Sequence, residues 1–208
     1  MNRNLVISVR LLIGGLGISC LVFLFCRPVF ADPLSTADKL DNTIYKGWTY
    51  GPDQSKKQID CSQFLVAVVE AELEVSLERI YRNAINIHPP PPDLNEAIED
   101  HLGLMRGVHY ALIDLLKIGN NVEPENAQSG DFIQYWKKNE AGEWRGHAAI
   151  INKVWEDNRG NKRASIMGAH KPKPEVSDFI CIKDFEGAGL NLQESGRLVY
   201  IVRLKAKG

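Results

Sequence analysis

Residues 59–69 read Ile-Asp-Cys-Ser-Gln-Phe-Leu-Val-Ala-Val-Val, and they carry the clearest structural signal in the chain. Asp60 is a residue type that caps helix amino termini, and Gln63, three residues later, can complete a capping box. The apolar side chains that follow recur at helical spacing on more than one face, which predicts a buried core helix. We expect this helix to run from residue 61 to about residue 81. Its first residue is therefore Cys61.

Further helices are expected before Pro124, where the pattern of the sequence changes from helical to β. Four consecutive prolines, residues 89–92, predict an extended connector that cannot continue a helix. Asp93 then caps another helix, with an acidic partner at Glu96. Residues 108–118 predict a further helix, which residues 119–120 (Gly-Asn) would close.

After Pro124 the sequence favours β-structure. Short apolar runs alternate with turn residues rich in Gly, Asn and Asp, which is typical of antiparallel strands. The predicted strands span residues 132–136, 146–155, 164–170, 179–183 and 197–204. Helices followed by an antiparallel sheet predict the α+β class.

The composition is that of an ordinary globular protein. Of the 208 residues, 44% are apolar and 25% are charged, which excludes collagen-like, coiled-coil and disordered chains. The net charge is −1, and no block of basic residues is interleaved with aromatic residues, so nucleic acid is not an expected partner. The sequence has no Gly-rich phosphate loop and no histidine at metal-ligand spacing, so we expect no cofactor and no metal.

Residues 1–31 have the features of a secretory signal peptide. Arg3 and Arg10 precede an apolar run over residues 11–26, and Ala31 supplies a small residue at its exit. This run is shorter than the roughly 20 residues of a membrane-spanning helix, although an uncleaved anchor is the alternative. We expect cleavage after Ala31, export to the periplasm or beyond the cell, and no membrane span in the remaining domain, residues 32–208.

Cleavage would leave two cysteines, Cys61 and Cys181, and a net charge of −4. In an exported protein two cysteines ordinarily suggest a disulfide. Cys61 is also a candidate nucleophile, because the first turn of a helix lies at the positive end of the helix dipole and lowers the pKa of a thiol. Cys181, in the predicted strand 179–183, is expected to be a buried and inert thiol.

Four motifs follow one another along the chain. They are Asp-Cys-Ser-Gln-Phe at 60–64, Ser-Gly-Asp at 129–131, Gly-His-Ala-Ala-Ile-Ile at 146–151 and Ile-Met-Gly-Ala-His at 166–170. Their order resembles the NlpC/P60 family of papain-like cysteine peptidases, which cut peptide amide bonds in bacterial cell walls. The resemblance covers roughly residues 45–175. Asp131 itself is expected to satisfy the turn at the start of its strand.

The resemblance implies a papain-like NlpC/P60 fold and a role for each matching residue. Cys61 would be the nucleophile, His147 the general base, and His170 the residue that orients the imidazole of His147. The backbone N–H of Cys61 would stabilise the oxyanion. The implied activity is hydrolysis of amide bonds in peptidoglycan peptides, as an endopeptidase or amidase.

The chain departs from the family pattern at three places. The family has a Tyr two residues before an aromatic–Gly pair, and Trp48 holds that place before residues 50–51, where core packing is its expected role. Residues 78–120 add helices and the proline connector to the compact family core. A long hairpin separates His147 from His170, so the role of His170 is open.

Two alternatives to the hydrolase are open at this point. One is a catalytically inactive binding or scaffold protein of the same fold, with Cys61 and Cys181 joined in a disulfide. The other is a cysteine acyltransferase, which the products would distinguish. The sequence does not say which amide is cut, or whether a protein inhibitor is a partner.

Overall fold

The computed structural model describes residues 32–170 and 189–206. These residues form a mixed helical and β structure that contains a six-stranded antiparallel sheet, so the predicted combination of helices with an antiparallel sheet is confirmed. The expected signal peptide, the predicted strand 179–183 and Cys181 lie outside the described residues. No helix in the described ranges is long and apolar enough to cross a bilayer.

The helices precede the large sheet along the chain. They are α1 (Pro33–Asn42), α2 (Cys61–Leu73), α3 (Arg79–Asn86), α4 (Leu94–Glu99) and α5 (Val108–Tyr110). The sequence analysis did not predict α1, whose start is capped by the carboxylate of Asp32. It did predict the start of α4, where the Asp93 carboxylate accepts a hydrogen bond from the Glu96 N–H at 3.0 Å.

The single helix predicted over residues 61–81 is wrong, because the segment forms two helices. Glu74 adopts a left-handed backbone conformation with φ of 56° and ends α2. The carboxylate of Glu70 then accepts a hydrogen bond from the Leu77 N–H at 2.7 Å, which stabilises the turn that leads into α3. The apolar periodicity does not reveal this break, since apolar residues occur on both sides of it.

The helix predicted over residues 108–118 also differs from the structure. After α5 the backbone widens into a π-helical turn over Ala111–Leu115. Lys117 then adopts a left-handed conformation with φ of 60°, which reverses the chain. As a result Gly119 begins a strand instead of closing a helix.

The large sheet has the strand order β3-β8-β4-β5-β6-β7, and every neighbouring pair is antiparallel. Its strands are β3 (Gly119–Val122), β4 (Phe132–Lys138), β5 (Trp144–Glu156), β6 (Lys162–Met167), β7 (Leu190–Asn191) and β8 (Arg197–Leu204). A separate parallel pair, β1 (Thr49–Tyr50) and β2 (Gln58–Ile59), leads directly into α2. The predictions for β4, β5 and β8 are confirmed. β6 ends at Met167, so His170 lies just beyond the strand in which it was predicted.

The core is built on both faces of β5. On one face α2 packs across the strand, and Phe64 and Val68 of the helix join Ala148 and Ile150 in one apolar cluster. On the other face Ala149 belongs to a second cluster that the helices do not reach. Each fully buried large apolar side chain contributes about 2 kcal/mol to the stability of the fold. β5 is therefore held firmly where it passes the start of α2.

A buried ion pair ties the start of β4 to β8. The carboxylate of Asp131 is 1% exposed and accepts two hydrogen bonds from the Arg203 guanidinium, at 2.7 and 2.9 Å. It also accepts a hydrogen bond from the Gln128 N–H at 2.8 Å, so the expected role of Asp131 in the strand-start turn is confirmed. Two strands that are distant in sequence are thereby joined through one carboxylate.

Replacing Asp131 with Ala should lower the free energy of unfolding by about 2 kcal/mol, which is below the full cost of breaking a buried pair because Arg203 is partly exposed. Urea denaturation measures this loss. Glu125→Ala, at an exposed position in a nearby turn, is the control and should change stability by less than about 0.5 kcal/mol. Equal losses in the two variants would contradict a stabilising role for the pair.

Candidate active site around Cys61

The start of α2 is fixed by a capping box. The Asp60 carboxylate accepts hydrogen bonds from the Gln63 N–H and the Ser62 hydroxyl, both at 2.8 Å. The side-chain oxygen of Gln63 accepts the Asp60 N–H at 3.2 Å, which completes the predicted box. Cys61 follows the cap and is half-buried. Its position is therefore set by the backbone of the first helical turn.

The thiol of Cys61 is surrounded by hydrogen-bond donors from three elements. The Ala148 N–H of β5, the Tyr50 hydroxyl and the Ser62 N–H are near enough to the sulfur to favour its ionised form. The Ala148 N–H belongs to the peptide bond that follows His147. The sulfur therefore lies against the part of β5 that carries the predicted general base.

Tyr50 is a residue of this site that the sequence analysis missed. Burial and the neighbouring Cys61 raise the pKa of the Tyr50 phenol far above its ordinary value. The sequence analysis placed Trp48 at the position of the family's tyrosine. In the structure Trp48 packs edge-on against Tyr45, with ring centroids 4.9 Å apart. The packing role expected for Trp48 is thus confirmed, and the hydroxyl beside the thiol comes from the residue two positions later.

The pKa of Cys61 is raised, and the expectation of a lowered value is wrong. Burial of the thiol is the largest cause, and the negative charge of Asp60 raises the pKa further. The nearby Ala148 N–H and Tyr50 hydroxyl lower the pKa but do not outweigh the burial. Cys61 is therefore a neutral thiol in the resting protein near neutral pH.

His147 and His170 lie side by side at the end of the site. Ile150 of β5 pairs with Met167 of β6, and this antiparallel register brings residues 147 and 170 opposite each other despite the long hairpin. Their ring centroids are 4.3 Å apart and the rings are tilted by 32°, so the two imidazoles stack. The Nε2 of His147 is enclosed and makes no hydrogen bond with the described residues. Orientation of His147 through a hydrogen bond to His170 stays a prediction.

Both histidines are neutral at physiological pH. Burial lowers the pKa of His147 to about 3, and repulsion from a charged His170 adds to this effect. Burial lowers the pKa of His170 to about 4. A neutral imidazole can accept a proton, so His147 is in the protonation state that a general base requires.

Tyr135 flanks His147 on the opposite side from His170, and the sequence analysis missed it too. It pairs with His147 across β4 and β5, and the two rings meet edge-on with centroids 5.7 Å apart. The Arg197 guanidinium lies over the Tyr135 ring at 5.6 Å. A charge on Cys61 contributes to raising the pKa of Tyr135, so the two side chains are within electrostatic reach.

The arrangement combines a thiol at a helix start, backbone N–H donors of that first turn and a neutral imidazole at the adjoining residue of β5, next to Ala148. That set can perform nucleophilic attack on a carbonyl group with general-base assistance. Within residues 32–170 and 189–206, no group of three or more His, Cys, Asp or Glu side chains is arranged to hold a metal ion. No protein-family model, curated protein or solved structure matches this chain.

Replacing Tyr50 with Phe should slow alkylation of Cys61, because the hydroxyl that is lost lowers the pKa of the thiol. We expect the midpoint of the alkylation rate against pH to rise by up to about one pH unit. Iodoacetamide labelling followed by mass spectrometry of the Cys61 peptide measures the rate. Trp48→Phe is the control and should leave the midpoint unchanged; a shift in that variant alone would contradict the assignment to Tyr50.

Acidification should destabilise the fold between about pH 6.5 and pH 4. The folded state keeps His147 and His170 neutral in this range, whereas the unfolded chain protonates them near the ordinary pKa of 6.5. The unfolded state then binds more protons, so the free energy of unfolding falls as the pH falls. We expect Tm to decrease from about pH 7.5 to about pH 5, and to decrease less in the double variant His147→Asn/His170→Asn.

The slope of Tm against pH is compared with two references, the slope left by a third histidine and the slope of a control variant. Burial also lowers the pKa of His109, which stays in place and leaves part of the slope in the double variant. His101→Asn is the control, because His101 is exposed and its φ of 54° suits asparagine. A double variant with the full slope of the unmodified protein would show that the histidine pair is not the cause.

Proposed function

We propose that this protein is a cysteine hydrolase in which Cys61 is the nucleophile and His147 the general base. The observation that carries the proposal is the packing of Cys61, at the capped start of α2, against the apolar cluster that contains Ala148 of β5. Ala148 is the residue that follows His147. In the proposal, the candidate nucleophile and the candidate base are therefore supplied by two elements that pack together.

The proposed reaction is the cleavage of an amide bond through a thioester. His147 takes the thiol proton of Cys61, and the sulfur attacks the carbonyl carbon to form a tetrahedral intermediate. The N–H of Cys61 at the helix start donates a hydrogen bond to the oxyanion. Collapse of the intermediate breaks the C–N bond as His147 returns the proton to the leaving amine. Water, deprotonated by His147, then attacks the thioester, and the acid and the thiol are released.

The raised pKa of Cys61 and the lowered pKa of His147 favour one version of this reaction. The resting pair is a neutral thiol and a neutral imidazole, so the proton moves to His147 only as the sulfur attacks. His170 would accept a hydrogen bond from the protonated His147 and fix its ring plane. The observation behind this role is the proximity of the two rings, with centroids 4.3 Å apart, and one ring must turn out of the stack to accept the hydrogen bond.

The substrate class follows from the motif resemblance, and we propose amide bonds in peptidoglycan peptides. The order of a cysteine-bearing helix, a Gly-Asp strand and a Gly-His strand supports a papain-like fold of the NlpC/P60 type. The signal-peptide features of residues 1–31 fit this substrate, because the bacterial cell wall lies outside the cytoplasm. We accordingly propose a periplasmic or extracellular location.

An inactive scaffold protein of the same fold is the second candidate. The high pKa of Cys61 favours it, since burial makes the thiol a poorer nucleophile in the absence of substrate. In that candidate Cys61 and Cys181 would form a disulfide. Counting the thiols of the native mature protein separates the two, because two free thiols support the hydrolase and none supports the scaffold.

The decisive experiment is digestion of purified sacculi by the mature protein, with the fragments identified by mass spectrometry. Cys61→Ala and His147→Ala should each lower the rate by about three or more orders of magnitude. The double variant should be no worse than either single variant, because members of one catalytic unit do not contribute additively. Fragments that carry a transferred acyl group would identify an acyltransferase instead.

Matched controls for these variants exist in the chain. Cys181→Ala and His101→Ala replace the same residue types and should keep the full rate. Circular dichroism should be unchanged in all variants. Full activity of Cys61→Ala would contradict the proposed function.

A further inference from the structure

A groove of about 680 Å³ opens beside His147, at the end of the sheet where β4 and β5 are joined. Tyr135 and His147 form part of its lining, and the side chains of Lys137 and Arg145 line it farther toward the hairpin. His147 therefore belongs both to the candidate active site and to this groove. A molecule bound in the groove contacts the His147 side chain, whose Nε2 is itself enclosed.

The hairpin that forms one wall is closed by hydrogen bonds of Asn139. The side-chain oxygen of Asn139 accepts hydrogen bonds from the N–H groups of Ala141 and Glu143, at 3.0 and 2.9 Å. The Asn139 N–H also donates to the Glu143 carbonyl at 2.9 Å. These bonds close the turn, so this wall of the groove is formed in the absence of a ligand.

The described part of the groove lining is rich in cations. Lys137, Lys138 and Arg145 line it, against one carboxylate, Glu140. Lys138 is committed elsewhere, because its ammonium binds Glu99 at 2.9 Å and lies over the Trp144 ring at 5.0 Å. Lys137 and Arg145 are the two other cations of this lining.

The present ion pairs of these two cations are weak. Arg145 pairs with Glu143 at 2.6 Å, but the two side chains are 70% and 60% exposed. Lys137 pairs with Glu194 at 2.9 Å, and this carboxylate is shared with Arg197. Exposed pairs of this kind contribute between about 0 and 1 kcal/mol. A ligand carboxylate that accepts two hydrogen bonds from the Arg145 guanidinium can displace Glu143 from it.

The distance along β5 limits where such a carboxylate lies in the substrate. Arg145 precedes His147 by two residues, which is about 7 Å along an extended strand. His147 protonates the leaving amine in the proposed reaction, so the groove lies where the amine side of the substrate emerges. A carboxylate bound by Arg145 is then within one or two residues of the cleaved bond.

We infer that this groove binds the leaving-group segment of the substrate and that Lys137 and Arg145 recognise a free carboxylate in it. The inference rests on the proposed function and narrows its substrate class to peptides that carry a carboxylate close to the cleaved bond on the amine side. Lys137 and Arg145 are specificity residues in this scheme. They do not take part in bond cleavage.

The test uses stem tetrapeptides in which each free carboxylate is amidated in turn. Mass spectrometry of the products identifies the bond that is cut and thereby the amine side. Amidation of one carboxylate on that side should lower kcat/KM about tenfold, while amidation on the acyl side should change it little. Equal cleavage of all peptides, or sensitivity on the acyl side alone, would overturn the inference and leave the proposed function intact.

The variants assign the recognition to named residues. Arg145→Gln and Lys137→Gln should lower kcat/KM for the unmodified peptide and should remove the difference between it and its amidated form. Arg159→Gln, in the exposed turn between β5 and β6, is the matched control and should keep that difference. A difference that persists in both groove variants would also overturn the inference.

A binding measurement separates this inference from the hydrolase itself. The Cys61→Ala protein is titrated calorimetrically with the unmodified and the amidated tetrapeptides. Tighter binding of the unmodified peptide, lost in Cys61→Ala/Arg145→Gln, would support the groove even if the unmodified protein cleaves no peptide. Equal affinity for all peptides in Cys61→Ala would overturn it even if cleavage is observed.

Discussion

The reciprocal hydrogen bonds between Asp60 and Gln63 are the constraint on which the site depends. They fix the residue at which α2 begins, and a cap of this kind contributes about 1 kcal/mol to helix stability. A helix that began one residue later would leave Cys61 at the N-cap, outside the helical turn that now directs its side chain. The thiol would then lose its contact with the backbone of β5. A short polar motif thus sets the direction of the only side chain proposed to form a covalent bond.

The second constraint is the exclusion of water, because the packing that positions Cys61 and His147 also opposes their ionisation. Burial raises the pKa of Cys61 and lowers the pKa of His147, so the pair carries no charge at rest. The positive end of α2 and the Tyr50 hydroxyl compensate for part of this effect. A substrate that brings its own polar groups into the site changes the balance at the moment of reaction. The reactivity of the Cys61 thiol is then coupled to substrate binding, which protects the thiol from side reactions.

The sequence predicted the parts of the molecule whose patterns are local. The capping box of α2 and the alternation in β4 and β5 need no knowledge of distant residues, and both were correct. The break at Glu74 and the strand that begins at Gly119 depend on single left-handed residues, which apolar periodicity does not register. The sequence analysis missed Tyr50 because this residue comes close to Cys61 only through the pairing of β1 with β2. Each strand has two residues, and Tyr50 lies opposite Ile59. The direction of the pKa shift of Cys61 was wrong because burial arises from tertiary packing, not from position in a helix.

The place of β8 in the sheet has a consequence for how the chain acquires its structure. This strand lies between β3 and β4, although about 60 residues separate it in sequence from β4. Until residues 197–204 have paired, the inner strand β4 has an open edge of apolar residues that can pair with another chain. Pairing over such separations also slows folding. The sheet is therefore completed only when a strand near the end of the described residues is in place, and a chain cut short before β8 is prone to aggregate.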